Sequence, residues 1–179
     1  YELSLSLMRE AGRQGLLGTD VPENYGGAGL DKTTSMLVTE KLAAAGSFNV
    51  TFNAHSGIGT LPLVYFGTPA QQQKYLPKLA SGERLSAFAL TEPGAGSDLT
   101  ALRTRAELRG SEFAVNGEKL FITNVTPGRT IGLVCLIENR PAVLVIDPLP
   151  APPVVRHPHL PLHLDLEPRL PLVVHHVHC

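Results

Sequence analysis

The sequence predicts an α+β fold: an N-terminal all-α domain over residues 1–84, an antiparallel β-domain over 85–147, and a low-complexity tail over 148–179. Three observations predict it. Up to Gly82 the apolar residues recur at helical spacing between capping signals. Beyond Gly82 the period shortens toward two and turn dipeptides interrupt it. From residue 148 onward proline, leucine and histidine dominate and glycine is absent, although the first 147 residues hold all 17 glycines.

Residues 3–14 place Leu3, Leu7, Met8 and Ala11 on a helical repeat, with Glu2, Arg9, Glu10 and Arg13 keeping the remaining surface polar. From Thr19 to Leu30 the turn formers Pro22, Asn24, Gly26, Gly27 and Gly29 predict a loop. Asp31 is an N-cap for a second helix through Met36, Leu37, Glu40, Lys41 and Ala44, which stops at Gly46. A third helix is expected within Phe48 to Phe66, with Gly57, Gly59 and Pro62 working against its continuity. Thr68 and Gln71 spell a capping box around Pro69, and Gly82 closes that fourth segment after Leu79.

Strands are predicted at Leu85 to Thr91, Arg103 to Leu108, Glu112 to Val115, Lys119 to Thr123, Ile131 to Ile137 and Ala142 to Ile146. Arg109-Gly110-Ser111 is expected to turn the chain, and Asn116-Gly117 is the strongest short hairpin signal. Helices precede strands rather than alternating with them, so a parallel βαβ sheet is not indicated.

Composition narrows function. With 43% hydrophobic and 17% charged residues the chain is globular, and a net charge of −1 gives no reason to expect nucleic acid. No apolar run reaches the roughly 18 residues of a membrane span and no leader opens the chain. Cys135 and Cys179 are too few for a disulfide framework and suit a reducing compartment. The expectation is a soluble protein of the bacterial cytoplasm or mitochondrial matrix. A start at Tyr1 rather than Met suggests a processed or incomplete product.

No phosphate-loop motif, nucleophile elbow or Cys-x-x-Cys pair is present. His55 stands alone in the body, and its simplest role is packing between helices. More informative is Phe88-Ala89-Leu90-Thr91-Glu92-Pro93-Gly94-Ala95-Gly96-Ser97-Asp98. There a strand ends in a proline-glycine bend, either an ordinary turn or an anion-binding concavity flanked by the Thr91 and Ser97 hydroxyls. In Lys119-Leu120-Phe121-Ile122-Thr123-Asn124, a period of two puts Phe121 and Thr123 on one strand face. That pair could cover and hydrogen-bond a flat heterocycle, or simply be a core aromatic beside an exposed threonine.

Together the two segments resemble the flavin-binding signature of the acyl-CoA dehydrogenase family. The likeness extends back through Val21-Pro22-Glu23-Asn24-Tyr25-Gly26-Gly27-Ala28-Gly29-Leu30, Ala54-His55-Ser56-Gly57-Ile58-Gly59 and Gln73-Lys74-Tyr75-Leu76-Pro77-Lys78-Leu79, covering about residues 7–147. It looks most like the branch acting on long acyl chains. The resemblance implies a helical domain, a middle β-domain and a C-terminal bundle, with FAD between the last two. It also implies that Phe88, Leu90 and Thr91 approach the flavin ring and that Gly96 and Ser97 line its acyl-CoA side, Ser97 touching substrate. Phe121, Ile122 and Thr123 then close over the ring, Thr123 donating to the edge where hydride arrives. Family members often carry tryptophan where this chain has Phe121. The implied reaction is α,β-dehydrogenation of an acyl-CoA thioester, with electrons passed to an electron-transfer flavoprotein by a homo-oligomeric full-length protein. The family's base glutamate lies on the bundle and no residue here matches it, Glu92 belonging to the turn. A truncated dehydrogenase is therefore expected, with an acyl-CoA oxidase of the same fold or a non-catalytic fragment as alternatives.

In the tail, Pro, Leu, His and Arg, all codable with C as first base, make up 23 of 32 residues, and Val, Ala, Asp and Glu, which begin with G, make up 8 more. That bias suggests an out-of-frame reading of GC-rich DNA from near Asp147, and with Pro161 and Pro168 limiting any strand the segment is otherwise expected to be disordered. The rival is metal binding by His157, His159 and His163, or by His175, His176, His178 and Cys179.

Overall fold

The computed structural model describes residues 2–110, 112–126, 128–147 and 162–163. It divides into two compact units, residues 1–86 and 87–179.

The first unit is helical. Helix α1 (Glu2–Arg13) buries Met8 and Ala11, whereas Leu3 and Leu7, on the same predicted stripe, face outward. The predicted loop after it is tightly folded: Ala28, Gly29 and Leu30 donate back to the carbonyls of Gly18, Val21 and Thr19. Helix α2 (Lys32–Leu42) starts at Asp31, whose carboxylate accepts the Thr34 N–H at 2.8 Å. It ends in a 3₁₀ turn over Ala43–Ala45, followed by Gly46 at φ 55°. The third predicted helix is helical throughout but not uniform. Helix α3 (Ser47–Asn53) opens into a π-helical turn (Ala54–Gly59) and continues as α4 (Leu61–Phe66). Pro62 is accommodated because it falls in the first turn of α4, where its missing N–H has no partner to lose. Helix α5 (Pro69–Ala80) carries the predicted capping box, with Thr68 and Gln71 bonded reciprocally. Met8, Ala11, Leu17, Phe52 and Leu85 form the core of this unit.

Behind that core, His55 is wholly buried and both ring nitrogens are engaged. Nδ1 accepts the Ser86 N–H at 2.9 Å and Nε2 lies 3.0 Å from the Leu79 carbonyl. An Nδ1 that accepts leaves the proton on Nε2, so the ring joins the end of α5 to Ser86, the last residue of this unit.

The second unit is built on strands β1 (Ser86–Ala89), β2 (Arg105–Arg109), β3 (Glu112–Asn116), β5 (Thr130–Ile137) and β6 (Arg140–Ile146). Their order is β1-β5-β2-β3, with β6 pairing β5. Strands β5 and β6 form a hairpin in register Ile137↔Arg140 to Ile131↔Ile146, and β2 and β3 another. The α+β class stands, but the sheet is mixed rather than purely antiparallel. Strands β2 and β5 run parallel at Arg105↔Leu136: β3 lies antiparallel on one side of β2, and β5 then pairs with β2 on its other side. Alternate residues of β5 and β6, namely Ile131, Leu133, Cys135, Ile137, Ala142, Leu144 and Ile146, point into the core.

Asn116-Gly117 does not make the predicted hairpin. Strand β4 (Glu118–Lys119) pairs instead with β7 (Leu162–His163), antiparallel. Gly117 is needed there because any side chain would be driven into Thr104. The tight two-residue turn lies at Glu138-Asn139, both at positive φ (51° and 62°), joining β5 to β6.

Among the described residues no helix is long and apolar enough to cross a membrane, and no group of three or more His, Cys, Asp or Glu could hold a metal ion. The candidate ligands His157, His159, His175, His176, His178 and Cys179, and the side chain of His163, lie outside the described residues.

Candidate functional site

Strand β1 ends at Ala89, two residues short of the predicted Thr91. Phe88 sits half-buried over Gly132 of β5, where an added Cβ would come within 2.9 Å of Phe88 Cδ2. Its ring is thus packed against the sheet. Beyond the strand, Glu92 and Ala95 bond each other through both main-chain pairs, 2.8 and 3.2 Å, around Pro93-Gly94. Those two N–H groups are spent inside the turn, so an anion would have to be met by the exposed Gly94, Gly96 and Ser97. Asp98 then caps Thr100 through its N–H at 2.9 Å and its hydroxyl at 2.6 Å, which holds the carboxyl below its usual range.

The second segment departs from expectation. Strand β4 stops at Lys119, and Phe121 takes φ 57°, so Phe121 and Thr123 do not share a strand face. Left-handed backbone costs a residue with a Cβ roughly 1–2 kcal/mol. Phe121 carries that strain with its side chain 82% exposed, so its own burial does not offset it. Ile122 anchors the segment against the β core, and Thr123 is half-buried.

Backbone and charge bring the two segments together. The Leu120 N–H donates to the Thr91 carbonyl at 2.9 Å. One residue to either side lies a buried ion pair: Lys119 Nζ is 2.7 Å from Glu92 Oε1, with side chains 1% and 3% exposed. Lys119 also donates to the Leu90 carbonyl at 2.9 Å, while Glu92 accepts the N–H groups of Arg103 (2.7 Å) and Thr104 (3.0 Å). Leu90, Thr91 and Phe121 thus fall within one small region, with Gly96 next to Thr91 and Ser97 on the exposed loop that follows.

Burial pushes the Glu92 carboxyl up, but the Lys119 ammonium and the Arg103 and Thr104 backbone N–H groups outweigh it and hold it at about 2. Burial pulls the Lys119 ammonium down, and the Glu92 carboxylate opposes that. Cys135, deep in the sheet, is pushed up to about 11, mainly by burial, and stays a thiol at neutral pH.

A carboxyl depressed from 4.5 to about 2 stabilises the fold above its unfolded value and loses that contribution as pH falls toward 2. The expected loss between pH 5 and 2 is on the order of 3 kcal/mol. Urea unfolding of the Glu92→Gln variant, less acid-sensitive than the parent over that window, would check it; equal sensitivity would place the acid transition elsewhere.

Lys119, Arg103 and Thr104 were not among the sequence candidates. One signal was available: period two sets Lys119 beside Phe121 on the predicted strand, where a buried ammonium would need a counter-charge, and Glu92 is a carboxylate held in a turn.

The segments carrying these residues match known proteins. Residues 2–83 match the family described as "Acyl-CoA dehydrogenase, N-terminal domain" and residues 87–160 that described as "Acyl-CoA dehydrogenase, middle domain", a range that runs past Asp147. The chain is 55% identical over 126 residues to "Probable acyl-CoA dehydrogenase" of Bacillus subtilis (strain 168), covering 69% of this chain and 21% of that protein. It is 40% identical over 141 residues to "Long-chain specific acyl-CoA dehydrogenase, mitochondrial" of Mus musculus, covering 79% of this chain and 33% of that one. Among solved structures, an acyl-CoA dehydrogenase complexed with FAD from Bacillus anthracis superposes with TM-score 0.77 at 46% identity, over 82% of this chain and 26% of the other. The chain therefore spans between a fifth and two fifths of the length of the curated relatives it matches.

Proposed function

The chain belongs to the acyl-CoA dehydrogenase family, and from that premise we propose that its second unit presents a flavin-facing surface for α,β-dehydrogenation of an acyl-CoA thioester. One observation carries the reading. The Leu120-to-Thr91 hydrogen bond sets the two candidate segments edge to edge while the Phe121 ring stays in the open, in a strained backbone. Strain of that kind collects where a side chain is aimed at a ligand. An exposed aromatic face beside threonine hydroxyls fits a flat, hydrogen-bonding heterocycle. The Bacillus anthracis neighbour's complex with FAD supports FAD as that group.

In this reading Phe121 covers one face of the ring, Thr91 and Thr123 offer hydroxyls to its edge, and Leu90, Gly96 and Ile122 shape the surrounding wall. Ser97, exposed on the loop, meets the acyl-CoA. Phe88 acts from behind, by fixing the end of β1 against β5. FAD, when bound, supplies the hydride acceptor. Glu92 is not the proton-abstracting base: it is buried, ion-paired and held at about 2, far too weak a base for that task. An electron-transfer flavoprotein as acceptor, and assembly as a homo-oligomer, belong to the same proposal.

Titration of the purified chain with FAD, followed by quenching of flavin fluorescence, should give saturable one-to-one binding; no binding would overturn the reading. Phe121→Gly separates strain from function. It should leave stability unchanged or raise it by up to about 1 kcal/mol, since glycine takes the left-handed backbone freely. The same variant should weaken FAD binding by at least roughly tenfold through loss of the stacked ring. Undiminished affinity would remove Phe121 from the site.

A further inference from the structure

We infer that the buried Glu92–Lys119 pair is a positioning device, which sets the gap between the Leu90–Thr91 and Leu120–Thr123 segments and so the placement of the Phe121 ring. The inference rests on the flavoprotein reading for its consequence, but its geometry stands apart from any ligand.

The pair ties three stretches of chain that are remote in sequence. Glu92 directly follows Thr91 and accepts from Arg103 and Thr104 at the approach to β2. Lys119 ends β4, two residues before Phe121, and reaches both the Glu92 carboxylate and the Leu90 carbonyl. Each charge is thus the immediate chain neighbour of a candidate flavin-facing segment. Three of the pair's bonds go to backbone groups, which fix chain position in a way that side-chain contacts do not.

Burying two charges is poor economy for stability, because an apolar pair of like volume commonly serves as well or better. The best-attested return on such a pair is register. Register is what this surface lacks otherwise. Leu120 to Thr91 is the one main-chain bond found between the segments among the described residues, and Phe121 is neither buried nor in a strand.

The chain has no tryptophan, so Phe121→Trp installs a single fluorescent reporter at the site. Glu92→Gln/Lys119→Met removes both charges and leaves the Gln oxygen to accept a backbone N–H, which keeps the fold testable where a lone Lys119→Met fails. In the Phe121→Trp background the double change should lower the reporter's fluorescence anisotropy at unchanged far-ultraviolet circular dichroism. With Phe121 retained, it should weaken FAD binding by roughly tenfold or more and shift the visible flavin band, as loss of supporting partners around a site commonly does. A merely structural pair would move neither reporter nor spectrum once the fold is intact. Unchanged anisotropy in a folded double variant overturns the inference. Failure of the parent chain to bind FAD counts against the flavoprotein reading instead, and the ligand-free reporter still decides the pair.

Discussion

Lys119→Met is expected to destabilise the second unit by about 3–5 kcal/mol, read as a lower urea midpoint at unchanged slope. Lys119 is almost fully buried, and its ammonium is the positive partner of a carboxylate that is itself 3% exposed. Removing it leaves Glu92 charged in the interior with only the Arg103 and Thr104 N–H groups to compensate. The carboxyl must then either stay ionised at high cost or take up a proton and forfeit those charge-assisted bonds. Adding Glu92→Gln should recover most of the loss, because no unpaired charge remains. Lys78→Met provides the scale. Its pair with Glu83 is 3.8 Å long between side chains 48% and 64% exposed, and its removal should change stability by no more than about 0.5 kcal/mol. Equal effects at Lys119 and Lys78 would refute the assignment of Lys119 as a buried partner.

His55→Leu is expected to cost about 2–4 kcal/mol in the first unit, although the replacement is apolar and of similar size. The loss comes from what histidine satisfies. Without the ring, the Ser86 N–H and the Leu79 carbonyl are left in the interior without the acceptor at 2.9 Å and the donor at 3.0 Å that they have now. The Ser86 hydroxyl, 3.0 Å from Nδ1, loses a partner as well. Ser56→Ala, one residue on, is the comparison: a half-buried hydroxyl bonded to the Phe52 carbonyl should be worth less than about 1 kcal/mol. Thermal unfolding of the two variants would rank them, and a His55→Leu chain as stable as the parent would mean the ring does not bridge Leu79 to Ser86.

What could be read from the sequence was what local chemistry decides. Thr68 and Gln71 cap a helix wherever they stand, Asp31 does the same, and Gly46 and Gly82 end helices by taking backbone conformations their neighbours avoid. The strand runs at Ile131 to Ile137 and Ala142 to Ile146 were equally plain, because alternate burial imposes its period directly. Where the fold decides instead, local signals misled. Asn116-Gly117 has the composition of a hairpin turn, yet its glycine answers to Thr104. Glu138-Asn139 makes the real turn with a glutamate at positive φ, a position composition would not assign to it. The two candidate segments were found from sequence, but their joint was not. Glu92 and Lys119 stand 27 residues apart, and nothing short of the folded sheet pairs them. Phe121 was singled out for its aromatic face; its left-handed backbone, which takes it off the strand, has no residue-level signature.

A π-helical turn holds one residue more than an α turn, so between Ala54 and Gly59 the helix is advanced by about 100° relative to an uninterrupted one. That phase advance lets His55 face Leu79 and Ser86 while Thr60, five positions later, bonds back to the His55 carbonyl at 2.7 Å. Excising one residue there would give a more regular helix and at the same time swing everything beyond it, the buried Leu63 included, away from the interior. Spacing in this segment is therefore as informative as identity: substitutions that keep its length can be absorbed one contact at a time, whereas a single-codon deletion would rotate the whole of α4 at once.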